Sequence, residues 1–283
     1  MRTSPAVAAG SRAVGLLVGA ALLYIVAVRF APGQGLDDLG FEGRKAVDLG
    51  ARRSATALAR LTVPVVAVLG ALWVVAMTLR QGAWRLAFAL LLGIAATAAS
   101  ARWLKLVLPR DQLFEVAYAS PANSFPSGHV ALTVAVALAA VSACTPVLRG
   151  RVAAAATVLV VGSSTAVLGS GWHRPSDVAA AVLFAAGMLT LATVTAWRDV
   201  APGDGDVPPW YRKPRATVRL VSAVAAASAV TLIVLRNRPA NPDHPFLVYL
   251  VIVVAVNCSA ALVVQQHARW VDHLAVLDNR SRN

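Results

Sequence analysis

About eight stretches of predominantly apolar residues recur along the chain, near 13–31, 61–79, 84–104, 129–148, 152–170, 177–197, 217–235 and 246–264. Each approaches the roughly 17–25 residues that a helix needs to cross a bilayer. That pattern leaves little choice of fold. In lipid, a spanning segment must satisfy its own backbone N–H and C=O groups, and a helix does so. The runs are rich in Ala, Val and Leu and predict an all-α, polytopic membrane helix bundle. Composition agrees: 58% of the residues are hydrophobic and 14% charged, against about 45–50% and about 25% in soluble domains. The first run, Ala13–Val28, follows Arg2 and Arg12 as a signal peptide would. It exceeds the roughly 7–15 apolar residues of such a signal and precedes many further spans, so it reads as the first membrane helix.

The net charge is +13, from 26 Lys plus Arg against 13 Asp plus Glu. In a membrane protein this balance reflects basic cytoplasmic loops, and no nucleic-acid partner is expected. With the N-terminus inside, the inner face collects Arg80, Arg85, Arg149, Arg151, Arg198, Arg212, Lys213, Arg215, Arg219, Arg269, Arg280 and Arg282. The outer face holds Arg236, Arg238 and the segment 32–60, whose bases are largely offset by acids such as Asp37, Asp38, Glu42 and Asp48. Segment 32–60 carries a weak amphipathic pattern and reads as an interfacial helix. The expected organisation is a six-span domain over 1–197, a cytoplasmic loop over 198–216 rich in Pro, Gly and charge, two added helices over 217–264, and a cytoplasmic tail over 265–283. Cys144 and Cys258 sit in apolar runs without metal-ligand spacing and read as packing residues.

Ionisable residues at span edges carry the functional signal. Lys105 and Arg110 follow the third span, Ser127 and His129 open the fourth, His173 follows the fifth, and Asp177 opens the sixth. A chain that crosses back and forth brings all of these edges to one face of the membrane, the extracytoplasmic one in this orientation. Two cations suit a phosphate dianion. Pro126-Ser127-Gly128-His129 opens a helix, whose first backbone N–H groups face an anion. Histidine serves as acid, base or nucleophile near neutral pH. Asp177, four residues after His173, is spaced to hold one of its ring nitrogens and leave the other free.

These residues resemble the motifs of the type 2 phosphatidic acid phosphatase family, K-x6-R-P, P-S-G-H and S-R-x5-H-x3-D. The second motif is intact at Pro126–His129, and the third keeps His173-Arg174-Pro175-Ser176-Asp177. The resemblance covers roughly 105–177 by motif and the first six spans by architecture. It implies that His173 is a nucleophile forming a phosphohistidine, that Asp177 orients it, and that His129 protonates the leaving oxygen. It also implies phosphate binding by Lys105, Arg110, Ser127 and Gly128, with no metal and no cofactor. The chain departs from the family at Gln112 and Leu113, where the first motif has Arg-Pro, and at Ala166 and Val167, where the third has Ser-Arg. Arg110 and Arg174 are the candidates to share the work of the arginines missing at Gln112 and Val167. The implied activity is hydrolysis of a lipid phosphate or diphosphate, polyprenyl or glycerolipid, at the plasma membrane. Two alternatives are a phosphotransferase using the same intermediate and a non-catalytic member that binds lipid or a partner protein. Expected partners are the lipid phosphate and membrane lipids; the sequence names no protein partner.

Overall fold

The computed structural model describes residues 5–113, 123–196, 214–234 and 246–282. Among them the regular structure is helical throughout. Helix α1 (Pro5–Tyr24) runs into a π-helical turn at Ile25–Arg29 and is followed by α2 (Ala31–Gly43) and a 3-10 turn at Arg44–Ala46. Then come α3 (Leu49–Arg80), α4 (Trp84–Val107), α5 (Gly128–Ala143), α6 (Pro146–Ser170), α7 (Pro175–Thr195), α8 (Pro214–Val234) and α9 (Phe246–Arg282). Six are long and apolar enough to cross a membrane: Val7–Arg29, α3, α4, α6, α7 and Phe246–Leu274. The apolar helices Gly128–Ala143 and Arg219–Val234 are shorter. The molecule is a multi-pass membrane helix bundle.

Several boundaries differ from those read in the sequence, each for a local reason. The run 129–148 stops at Ala143 because Pro146 occupies the first turn of α6 and holds the chain before it extended. Segment 32–60 is two elements. Helix α2 ends at Gly43, the chain is extended at Val47 and Asp48, and the Asp48 carboxylate caps α3 by accepting the Ala51 N–H at 2.9 Å. Residues 49–60 are therefore the first turns of α3. Residues 265–274 continue α9 and pack into the bundle, with Gln265, His267, Val271 and Asp272 buried. Residues 198–213, with Arg198, Arg212 and Lys213, lie outside the described residues, as do Arg236 and Arg238.

Helix α7 is the axis of the bundle. It packs against α1, α4, α5 and α9, and 56% of its apolar window is buried, against 11% for α3 at the periphery. Small residues permit the approach. A β-carbon on Gly187 would meet the Leu17 side chain at 2.8 Å, so α1 lies directly on α7. Polar keys hold α9 at the end of the bundle where α5 finishes. His267 Nε2 and Ser142 Oγ are 2.9 Å apart. Arg149, assigned by the sequence to an inner loop, is fully buried, pairs with Asp272 and donates to the Cys144 carbonyl at 2.7 Å. The opposite end, where α4 and α6 finish and α5 and α7 begin, is covered by α2.

Candidate active site

The segment Gly171–Asp177 is a helix stop followed at once by a helix start. Gly171 ends α6 with φ of 73°, a left-handed conformation that favours glycine, and a β-carbon there would run into the Arg44 side chain. Pro175 opens α7, and Asp177 lies in its first turn, where a carboxylate is favoured by the exposed N–H groups. Asp177 Oδ2 accepts the Arg174 backbone N–H at 3.0 Å and the Ser124 hydroxyl at 2.5 Å, and stands 3.3 Å from His173 Nδ1. One carboxylate thus starts the helix and holds the imidazole. Because an ionised carboxylate only accepts, the pair orients His173 with Nδ1–H toward Asp177, and in a neutral ring the lone pair is then on Nε2.

Helix α5 begins beside α7. The Ser127 N–H donates to the Asp177 carbonyl at 2.9 Å, tying the two helix starts together. The buried Ser127 hydroxyl caps α5 by accepting the Val130 N–H at 3.5 Å. The N–H groups of Gly128 and His129, in that first turn, have no partner within the helix. Lys105 Nζ stands 3.6 Å from where a β-carbon on Gly128 would be, which places an ammonium beside those N–H groups. The His129 and His173 rings are 6.3 Å apart between centroids, a separation that leaves room for a tetrahedral group between them. The structure therefore gathers Lys105, Ser127, Gly128, His129, His173 and Asp177.

Arg110 and Arg174 sit in the same neighbourhood, each already facing a carboxylate of α2. Arg110 Nη2 is 3.3 Å from Asp37 Oδ2, and Nη1 is 3.6 Å from Asp177 Oδ1, with the side chain 4% exposed. Nη1 itself is buried without a hydrogen-bond partner. Arg174 Nε donates to Asp38 Oδ1 at 2.7 Å, and its guanidinium lies 5.4 Å from the centre of the Phe41 ring. Asp37 also accepts both the N–H and the hydroxyl of Ser176, at 2.8 and 2.7 Å. Burial first, and the charge of Asp177 second, push the Asp37 carboxyl up to about 6, while its bonds to Ser176 and the charge of Arg110 hold it down. Burial lowers the Arg44 guanidinium, opposed by its neighbour Glu42.

Sequence reading missed part of this constellation. Asp37 and Asp38 counted only as charge in an interfacial segment, and their partners Arg110, Arg174 and Ser176 lie far along the chain. Ser124 lay just before an intact motif. Trp172 stacks against His129 with centroids 5.1 Å apart, and Arg60 sits 5.7 Å from the centre of the Trp172 ring. Arg60 precedes a membrane run, where a long basic side chain reaches toward the interface.

Apolar space lies within the bundle, and the site residues do not line it. A cavity of about 530 Å³ lies between α3, α6 and α8, lined by Ala51, Leu58, Ala166 and Val224, with Arg52 and Tyr249 also in its wall. A second cavity of about 170 Å³ shares Leu58, Gly162 and Ala166 with it and touches Thr133, whose hydroxyl donates to the His129 carbonyl at 2.9 Å.

Compared with known proteins, residues 82–201 match the family model described as PAP2 superfamily. No curated protein and no solved structure matches the chain.

Proposed function

From a chain whose residues 82–201 belong to the PAP2 superfamily, a group that acts as phosphatases or phosphotransferases on phosphate esters, we propose a membrane phosphatase that hydrolyses a lipid phosphate or diphosphate through a phosphohistidine. The observation that carries the reading is the His173–Asp177 pair facing His129 across 6.3 Å. His173 Nε2 attacks phosphorus, forming the P–N bond as the P–O bond to the leaving group breaks. His129 gives its proton to the departing oxygen. Water then attacks the phosphohistidine, returning inorganic phosphate and free His173, with His129 taking the water's proton. The phosphoryl oxygens lie against Lys105, the N–H groups at Gly128 and His129, and Arg110, whose Nη1 makes no hydrogen bond and stands 3.6 Å from Asp177 Oδ1.

In this reading Arg174 clamps α2 on α7 through its bond to Asp38, and Arg110, 3.6 Å from Asp177, takes the work of the arginine absent at Val167. A lipid substrate is favoured by the setting, because the site lies at the head of a membrane bundle. A cytoplasmic N-terminus, which the loop charges favour, would put the site on the extracytoplasmic side.

The test is an assay of purified protein in detergent against polyprenyl and glycerolipid phosphates, with EDTA present and product analysis by labelled lipid. Released inorganic phosphate, an acid-labile phosphoenzyme, and the loss of both in His173→Ala are expected. Label passed to an alcohol in place of water assigns a phosphotransferase, and full activity in His173→Ala rules out the phosphohistidine.

A further inference from the structure

Helix α2 belongs to none of the motifs and lies outside the matched segment 82–201, yet it touches both halves of the site. Gln34, Asp37 and Asp38 share one face of it at helical spacing. The Gln34 amide donates to the Asp111 carbonyl at 2.9 Å, and its oxygen accepts the Leu113 N–H at 2.8 Å. Those bonds grip the segment that carries Arg110. One turn on, Asp37 accepts two bonds from Ser176 at the start of α7, and Asp38 takes Arg174. Helix α2 is thus a brace between the segment bearing Arg110 and the segment bearing His173 and Asp177.

Resting on the reading above, we infer that Asp37 is a positioning residue of the reaction, acting through Arg110 and through the start of α7. Two geometric facts carry it. Asp37 is buried and its oxygens are spent on Ser176 and Arg110, so none is left for a substrate. It also fixes which edge of Arg110 is used. With Nη2 held by Asp37, Nη1 stays 3.6 Å from Asp177 Oδ1, too far for a hydrogen bond, on the side the reading above assigns to the phosphate. Arg110 then stands between two carboxylates, and its charge is divided between them. Without Asp37, the guanidinium is free to close on Asp177 with both nitrogens, which competes with His173 for the carboxylate and withdraws Nη1 from the phosphate.

The perturbation is Asp37→Asn, which keeps size and one acceptor but removes the charge. Supporting residues one layer behind a reacting group typically cost about 10–100-fold in activity. The expected result is a fall in kcat of that size with KM for the lipid phosphate little changed, since Lys105 and the α5 N–H groups still bind. Ser176→Ala removes one bond to Asp37 and leaves the charge pair, and a smaller fall in kcat of the same kind is expected from it. This milder variant carries the test if Asp37→Asn does not fold. A second readout needs no turnover: nitrogen NMR on protein with labelled histidine reports the His173 tautomer. Wild type should show Nδ1 protonated, and the variants should show that tautomer weakened. Unchanged kcat and an unchanged His173 signal in folded variants overturn the inference. Turnover that survives His173→Ala overturns the phosphohistidine instead, and the NMR comparison still decides the role of Asp37.

Discussion

Asp177→Asn is the sharpest test of how the site works, because the substitution is isosteric and every contact of the carboxylate is accounted for. Oδ2 serves His173 Nδ1 at 3.3 Å, Ser124 Oγ at 2.5 Å and the Arg174 N–H at 3.0 Å, and Oδ1 faces Arg110 at 3.6 Å. An amide cannot reproduce this set. With its oxygen in the Oδ2 position, its NH2 group points at the Arg110 guanidinium, donor against donor. Turned over, the NH2 group faces His173 and moves the ring proton to Nε2, which blocks the nucleophile. Replacing the orienting carboxylate of a comparable nucleophile–histidine system by its amide costs about 10⁴ in kcat through the wrong tautomer. Here the first orientation retains some correct tautomer, so a loss of about 10²–10⁴ in kcat is expected, with KM much less affected. Stability should fall too, since hydrogen bonds to a charged group contribute about 1.5–3 kcal/mol each. Initial rates with labelled lipid phosphate in detergent, together with acid-quenched phosphoenzyme yields, separate the two effects. A folded Asp177→Asn enzyme within about threefold of wild-type kcat would refute the claim that this carboxylate sets the tautomer.

Two further outcomes follow from the α2 contacts. Arg174→Ala removes the bond to Asp38 and should lower the detergent Tm, with only a modest loss of kcat; a large rise in KM without loss of Tm would make Arg174 a phosphate ligand after all. Asp37 is raised from the usual 3.8 to about 6, so folding favours its protonated form between those values. Its contribution to stability is fully present below about pH 4 and is lost as pH rises through about 6. The Tm of wild type relative to Asp37→Asn should therefore decline from pH 4 to pH 7, and a difference that is constant or rising over that range contradicts the burial argument.

The parts of this molecule legible in the sequence are those governed by local rules. Runs of apolar residues mark helices because lipid offers the backbone no other partner, and each run became one. His173 and Asp177 could be paired on paper because four residues across a helix start is a fixed distance. The intact Ser127-Gly128-His129 could be placed at a helix start for the same reason. What the sequence hid depends on contacts between distant segments. Asp37 lies 73 residues before Arg110 and 139 before Ser176, and no periodicity in either region announces the meeting. The tail after 264 looked separate because its polar residues, among them Gln265, His267 and Asp272, resemble a water-facing segment. Buried Arg149 and Ser142, far away in the chain, supply the partners that let the helix continue inward.

The same distinction bears on the arginines. Counting cations along the chain treats Arg110 and Arg174 as equivalent substitutes for the one absent at Val167. A guanidinium acts on a phosphate only with N–H groups not already committed, and the two residues commit different nitrogens. Arg174 gives its Nε to Asp38 and has both Nη groups outside any hydrogen bond among the described residues, whereas Arg110 has Nη2 on Asp37 and Nη1 3.6 Å from Asp177 Oδ1. The carboxylates of α2 hold one edge of each guanidinium. On the proposed reading, a site whose motif has lost an arginine retains its chemistry because a helix outside the motif holds another in the right attitude, and α2 would play that part.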